Sequence, residues 1–422
     1  MIIQEKHIEK TEGSLAYRLQ MKEMELNTLF ETIQAINDNA SEEHLYKIYQ
    51  LTLRSRKYIS KLALFVFDEE EVKWECKAYF GLKSKGGVSH ALPISITKIT
   101  KTTDRSLLVG GNQDSDEHDF FNQFQAVIPV KHKKDILAYV LITAEDGRNL
   151  QDIDFIEALS NIIIVAVENK KLARKQSRQE IIKRQLEIAK DVQTLLFPKK
   201  LPYNERLKVM ASYQPHHTVG GDYYDFIEID KNRFMLCIAD VSGKGVPAAI
   251  LMSNFQAALR ILVRKKIPLK EIIEELNYLI MQNARGENFI TAFFMEYDFM
   301  THSLSYVNAG HNPPFLFVNN DPTFLEEGTT ILGGFDKLPL LDITNLQVDD
   351  FLLFCFTDGF TETYNEDGEE FGVQLMEDFI KEHIQLDQKA LHIKLLDYLN
   401  TFKGNNAYAD DITLLSCKVI NS

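Results

Sequence analysis

The 422-residue chain is too long for one small module, and 45% hydrophobic and 26% charged residues with only 20 Gly and 11 Pro exclude disordered and fibrous classes. Its 47 Lys and Arg against 61 Asp and Glu leave a net charge of −14, which argues against a general binder of nucleic acid or anionic membrane. No unbroken apolar run approaches the roughly 18 residues of a membrane span, and Cys76, Cys237, Cys355 and Cys417 form no CxxC pair, so the expectation is a cytoplasmic protein without a zinc site or disulfide framework.

Between Glu5 and Asn37 apolar residues at Leu15, Leu19, Leu26, Leu29, Phe30, Ile33 and Ile36 recur mostly at three- and four-residue steps, which predicts an amphipathic helix with Gly13 fraying its start. Ser41, then Glu42 and Glu43, then Leu45, Ile48 and Leu51 supply the N-cap, acidic first turn and apolar face of a second helix. Apolar runs at 61–67 (KLALFVF) and 72–80 flank a polar turn at 68–71, and runs at 126–130 and 136–144 flank a turn at 132–135, so two antiparallel hairpins are expected. A helix opens near Asp152 and carries Ile156, Leu159, Ile163 and Val167. These elements predict an N-terminal helix at 1–40 and a small α+β sensor at 41–167. Residues 125–172, where Ile128-Pro129-Val130, a hairpin, an apolar strand and a helix lead to Glu168-Asn169-Lys170-Lys171-Leu172, resemble the C-terminal half of GAF domains. Leu137 and Ala138 stand where most GAF domains have Gly, and neither a bilin cysteine nor a cyclic-nucleotide signature is present, so no ligand is implied.

Neither Pro nor Gly interrupts the charged stretch from Glu168 to Leu196, and Pro198 ends it, which predicts a helical linker at 168–200. Ile182, Leu186, Ala189, Gln193 and Leu196 alternate steps of four and three, the coiled-coil spacing, while Asn169, Gln176 and Gln179 put polar residues on the upstream seam. A parallel homodimer and a single solvated connector helix both satisfy this pattern.

Beyond Leu201, acidic residues recur where apolar strands meet turns. VGGDYYDF (219–226) presents Asp222 behind two glycines. FMLCIADVSGKG (234–245) ends a strand in Asp240-Val241, and FLLFCFTDGFTE (351–362) ends another in Asp358-Gly359. ADDITLL (409–415) opens the last strand with Asp410 and Asp411. Such carboxylates, converging at one end of a sheet, suit Mg²⁺ or Mn²⁺, which prefer oxygen ligands. Each Asp-Gly alone is a turn dipeptide; the ordered set is the signal. Helical spacing at 253–264 and 269–281, with a helix start near Pro247, supplies a covering layer.

Those four motifs, with NAGHNPP (308–314) and the lead-in LEIAKDVQTLLFPKKLP (186–202), closely resemble the bacterial sporulation-stage-II-E and sigma-factor-regulation branch of PPM-type serine/threonine phosphatases. The resemblance implies, for 201–422, an αββα β-sandwich that binds two Mn²⁺ or Mg²⁺ ions and hydrolyses phosphoserine or phosphothreonine through metal-activated water. Carried over by motif, Asp222, Asp240, Asp358 and Asp410 are the implied catalytic ligands, with the Val241 backbone carbonyl beside Asp240. Asp410 matches the family's Asp and Asp411 its following Asn, with Asp411 as the alternative ligand. The implied partners are a phosphorylated anti-anti-sigma protein of the STAS type, an upstream activator at the sensor and a second copy of the chain, with control passing through the linker helix. Neither the phosphate-binding arginine of eukaryotic relatives nor a general acid is evident.

Other candidates read more simply. His311, between Gly310 and Asn312-Pro313-Pro314, reads as a turn or packing residue before an acid catalyst, and the paired His216 and His217 as solvated turn residues before metal ligands. Lys244 in SGKG lacks the spacer and the following Ser or Thr of a nucleotide-binding loop. Asp225 reads as a turn or strand carboxylate before a ligand, Tyr223 as core and Tyr224 as rim. Two other functional classes stay open, a catalytically silent scaffold for the same partner and a metal-dependent hydrolase of another phosphoester.

Overall fold

The computed structural model describes residues 2–56, 59–68, 72–82, 106–107, 123–132, 135–144, 153–216, 218–284 and 286–421. The expectations placed on Asp152, His217 and the turn residues 69–71 and 133–134 lie outside them. The chain divides into two compact units, Met1–Gln179 and Glu180–Ser422.

The first unit opens with α1 (Ile2–Asn37), which Gly13 does not interrupt, and α2 (Glu42–Arg54), capped by the Ser41 hydroxyl accepting from the His44 amide at 3.2 Å. Its strands β1 (Ile59–Asp68), β2 (Lys73–Phe80), β3 (Ser106–Leu107), β4 (Ala126–His132) and β5 (Asp135–Ala144) form an antiparallel sheet in the order β2-β1-β5-β4-β3. Period-two alternation divides the sheet between two cores. Leu62, Leu64, Val66, Ile128 and Val140 face α2 and the start of α3 (Ile153–Thr194), whereas Ala63, Phe65, Val127, Tyr139 and Leu141 face the other way. Tyr49 of α2 and Ser160 of α3 share a buried hydrogen bond of 2.8 Å. Helix α3 is continuous from this unit into the next.

The second unit contains β6 (Leu207–Gln214), β7 (Tyr223–Glu228), β8 (Arg233–Val241), α4 (Val246–Arg264), α5 (Leu269–Ala284), β9 (Ile290–Asp298), β10 (Ser303–Ala309), β11 (Phe315–Val318), β12 (Asp321–Phe324), β13 (Gly328–Thr329), β14 (Thr344–Gln347), β15 (Phe351–Phe356), α6 (Asp358–Thr361), α7 (Gly372–His383), α8 (Gln388–Lys403) and β16 (Ile412–Val419). One sheet runs β13-β10-β9-β8-β7 with β14 also on β10, and the other β12-β11-β15-β16-β6. Both faces of each sheet are buried. Phe234, Leu236 and Ile238 of β8 meet Leu353, Cys355 and Cys417 between the sheets. Met235, Cys237 and Ala239 of β8 face α4 and α5, while Phe354 and Phe356 of β15 face α7 and α8. The result is four layers, helices, sheet, sheet, helices.

Helix α4 is long and apolar enough to cross a membrane by length and composition alone, a feature missed by looking only for unbroken apolar runs. Its Leu251, Met252, Phe255, Leu259 and Val263 are instead core residues of this unit.

Candidate active site

The acidic motifs come together, but not at the end of one sheet. Asp222 and Asp240 belong to the β7–β8 edge of one sheet, and Asp358, Asp410 and Asp411 to the β15–β16 region of the other. A site between facing sheets is the physical correction to the one-sheet expectation: each sheet supplies only part of the charge.

Asp222 is 1% exposed, and its Oδ2 accepts from the hydroxyls of Thr357, at 2.8 Å, and Thr413. Thr357 Oγ1 also accepts from the Thr413 amide at 2.9 Å, so the two threonines brace each other and the carboxylate. Burial first, and then the charge of Asp240, push the Asp222 carboxyl well above the usual carboxylate range. Asp240 lies within hydrogen-bonding reach of Asp222 and is pushed up to about 7, by burial first and then by Asp358. Asp358 is raised by burial and then by Asp410. These groups form a chain of mutually repelling carboxylates short of positive charge.

Asp410 and Asp411 have different surroundings. Asp410 is partly exposed and pairs with Lys244 Nζ at 2.8 Å. Asp411 is buried and accepts from the backbone amides of His216, at 2.7 Å, and Gly221, at 2.8 Å, which ties the segment leading to Asp222 onto the last strand. A Cβ at Gly220 would stand 2.0 Å from Asp411 Oδ2, and one at Gly221 would stand 2.8 Å from the Val241 carbonyl oxygen. Both glycines are required by close approach, and the second one places that carbonyl against the Asp222 loop.

Among the described residues no three His, Cys, Asp or Glu side chains close around one point as an ion would require. The partners explain the spread: Asp222 faces hydroxyls, Asp410 an ammonium and Asp411 amides. The donor chemistry nevertheless fits a hard divalent cation, because the groups are oxygen donors and three of them hold raised affinities that nearby positive charge would relieve.

Asp225, fully buried, is not part of this cluster. Arg260 of α4 pairs with both its oxygens, Nε to Oδ2 at 2.7 Å and Nη2 to Oδ1 at 3.0 Å, and Tyr223 donates to it. His311 is buried with Nδ1 at 3.1 Å from Thr291 Oγ1, and burial pulls it down to about 4, so it is neutral. Asn308 accepts from the His311 amide and donates to its carbonyl, the bonding of a turn.

Four contributors escaped the sequence reading. Thr357 and Thr413 flank acidic motifs, a signal that was available. Tyr213 buries its hydroxyl beside Gly220, without a hydrogen-bond partner among the described residues, and no pattern marks it. Gln193, read as a coiled-coil seam position, is buried and grips Gly220 instead: its Nε2 donates to the carbonyl at 2.7 Å and its Oε1 accepts from the amide at 3.3 Å. Next to it, Phe197 packs on Tyr213, Tyr223 and Tyr224 at centroid distances of 5.1, 5.9 and 5.0 Å. The seam is therefore partly used within the chain.

Residues 230–420 match the family model of Stage II sporulation protein E (SpoIIE). The C-terminal unit is a SpoIIE-family domain. The SiaA-PP2C domain of Pseudomonas aeruginosa shares its fold, with a TM-score of 0.51 at 20% identity over 57% of this chain and 98% of that one. Phosphoserine phosphatase RsbU of Bacillus subtilis is 35% identical over 192 residues, 45% of this chain and 57% of RsbU. Phosphoserine phosphatase RsbP of the same organism is 26% identical over 183 residues, 42% of this chain and 45% of RsbP. The chain thus spans about half the length of these two phosphoserine phosphatases. Within the SpoIIE-family domain, the match begins in the β7–β8 turn and takes in Asp240, Asp358, Asp410 and Asp411, while Asp222 and its glycines lie just ahead of it.

Proposed function

We propose that this chain is a divalent-metal-dependent protein phosphatase acting on phosphoserine or phosphothreonine. Its substrate on this reading is a phosphorylated anti-anti-sigma protein of the STAS type in a cytoplasmic partner-switching pathway. The observation that carries the reading is the gathering of Asp222, Asp240 and Asp358 from two sheets into one repelling cluster, which a fold built for stability alone would pair or remove. The relatives named phosphoserine phosphatases support the reaction class.

Asp222, Asp240, Asp358 and Asp410, with the Val241 carbonyl, would hold two Mn²⁺ or Mg²⁺ ions. Such a pair supplies a hydroxide nucleophile near neutral pH and neutralises phosphoryl oxygens. The chain's own part is positioning. Thr357 and Thr413 fix the rotamer of Asp222, Asp411 anchors the loop before it, and Gln193 holds Gly220 from the end of α3. Gln256 of α4 donates to the Leu196 carbonyl at 3.3 Å, a second link between the linker end and the layer that follows Asp240.

These links support regulation through the linker at 168–200. A GAF-like sensor at 41–167, acted on by an upstream activator, would shift α3 and with it Gly220. The chain would act as a homodimer through Ile181, Ile188, Val192 and Leu195, which are 57%, 57%, 57% and 64% exposed and follow steps of seven, four and three. This face differs from the seam that contains Gln193.

The test is Mn²⁺-dependent phosphate release from a phosphoserine STAS-type protein by the full chain and its Asp240→Asn variant. Turnover that needs Mn²⁺ and disappears in the variant is the expected result. A folded protein that binds the partner and Mn²⁺ without releasing phosphate would favour the scaffold.

A further inference from the structure

Lys244 belongs to the SGKG turn between β8 and α4, and its neighbours Gly243 and Gly245 take φ values of 92° and 71°, a left-handed geometry open to glycine. That turn carries the lysine from the Asp240 sheet across to the opposite motif. Its ammonium stands 2.8 Å from Asp410 Oδ2 and donates to the Ala409 carbonyl at 3.0 Å, while half of its side chain is exposed. Among the described residues it is the cation paired with the acidic cluster. Arg260 of α4 is committed to Asp225, and Arg233 of β8 to Asp230 and Glu296.

A phosphoryl group entering a cluster of carboxylates meets like charge and needs a mobile cation of its own. A lysine suits this, as a point charge with three donors on a flexible stem. We propose that Lys244 is an exchangeable cation: it gives up Asp410 to a divalent ion and turns its ammonium to the phosphoryl oxygens of the substrate. The exchange rests on the phosphatase reading and adds to it a phosphate-recognising residue supplied by a lysine.

Calorimetric titration of the full chain with Mn²⁺ alone, followed by inorganic phosphate at saturating Mn²⁺, tests both halves. Removing the competing charge in Lys244→Gln should tighten Mn²⁺ binding about tenfold, and loss of the ammonium should weaken phosphate binding about tenfold. Lys244→Arg, which keeps the charge, should stay within about twofold of wild type in both titrations. An unchanged Mn²⁺ or phosphate constant in Lys244→Gln overturns the exchange. A wild-type chain that takes up no Mn²⁺ overturns the phosphatase reading itself, a result distinguishable from failure of the lysine's role.

Discussion

Asp222 and Asp225 lie three residues apart, one just before β7 and one within it, and both are buried, at 1% and 0% exposure. Asp225 has a bidentate guanidinium and a phenol; Asp222 has two hydroxyls and faces another carboxylate. A buried charge neutralised within the chain ties elements together, here β7 to α4. One left with only neutral donors against a like charge raises its proton affinity and calls for an external cation. Sequence distance does not separate the two roles; the direction of the side chain does. Asp225 faces the α4 layer, whereas Asp222 meets the end of the opposite sheet.

Exchanging the two carboxylates for amides is the widest test of that contrast. Asp222→Asn should lower Mn²⁺-dependent turnover by about 10²–10³-fold, the range for losing one preorganised electrostatic group, while thermal stability without added metal holds or rises as repulsion is relieved. Asp225→Asn should keep its Mn²⁺ dependence and lose stability. The opposite assignment of effects would dissolve the distinction.

Next in size is Arg260→Met, which leaves Asp225 buried without its cation and should cost about 3 kcal/mol in urea unfolding, the low end for a broken buried pair because the arginine is partly exposed. Adding Asp225→Asn to that variant should recover part of the loss, the coupling expected of groups in contact. Strict additivity would show that the pair does not act as a unit.

A third test uses a buried polar group on the far side of the same unit. His392 of α8 bonds Ser416 through Nε2 at 2.8 Å and Ser212 through Nδ1 at 3.1 Å, packs against Phe354, and is lowered to about 4 by burial. Its folded value lies below the ordinary 6.5, so the unfolded chain takes up the proton first as pH falls. The stability contributed by the neutral ring is therefore complete above about pH 6.5 and is lost between there and about pH 4, on the order of 3 kcal/mol in all. Urea midpoints at pH 7 and pH 5 should differ less in His392→Gln than in wild type; equal slopes would remove His392 from the acid response.

The smallest effect is expected at Gln193. Gln193→Ala removes two hydrogen bonds to Gly220, about 1 kcal/mol each, and should lower the unfolding midpoint modestly while changing Mn²⁺ affinity several-fold. A shift in stability alone would make it a packing residue rather than a link to the Asp222 loop.

Much of the second unit was legible because its chemistry is written in short motifs. The strands leading to Asp240 and Asp358 are unbroken apolar runs buried on both faces, and VGGD needs its glycines for close approach, so both the strands and the candidate ligands could be read locally. The first-unit strands at 59–68 and 135–144 were legible for the same reason, to within a few residues of their ends. Gln193 was misread because seam spacing records which residues share a helix face and not what that face meets. The convergence of the motifs on one sheet was misjudged because strand order is not a local property.

The sequence by itself determined the alternation of strands and helices, the acidic motifs and their order, since backbone preference and side-chain periodicity act over a few residues. Tertiary structure alone decided that Asp222 meets Thr357 and Thr413, that Arg260 neutralises Asp225 and not Asp222, and that Asp411 holds amides while Asp410 holds Lys244. Those choices depend on contacts between residues 35 to 191 positions apart in the chain, where packing of two sheets and their helices, and not local propensity, sets which charges are paired.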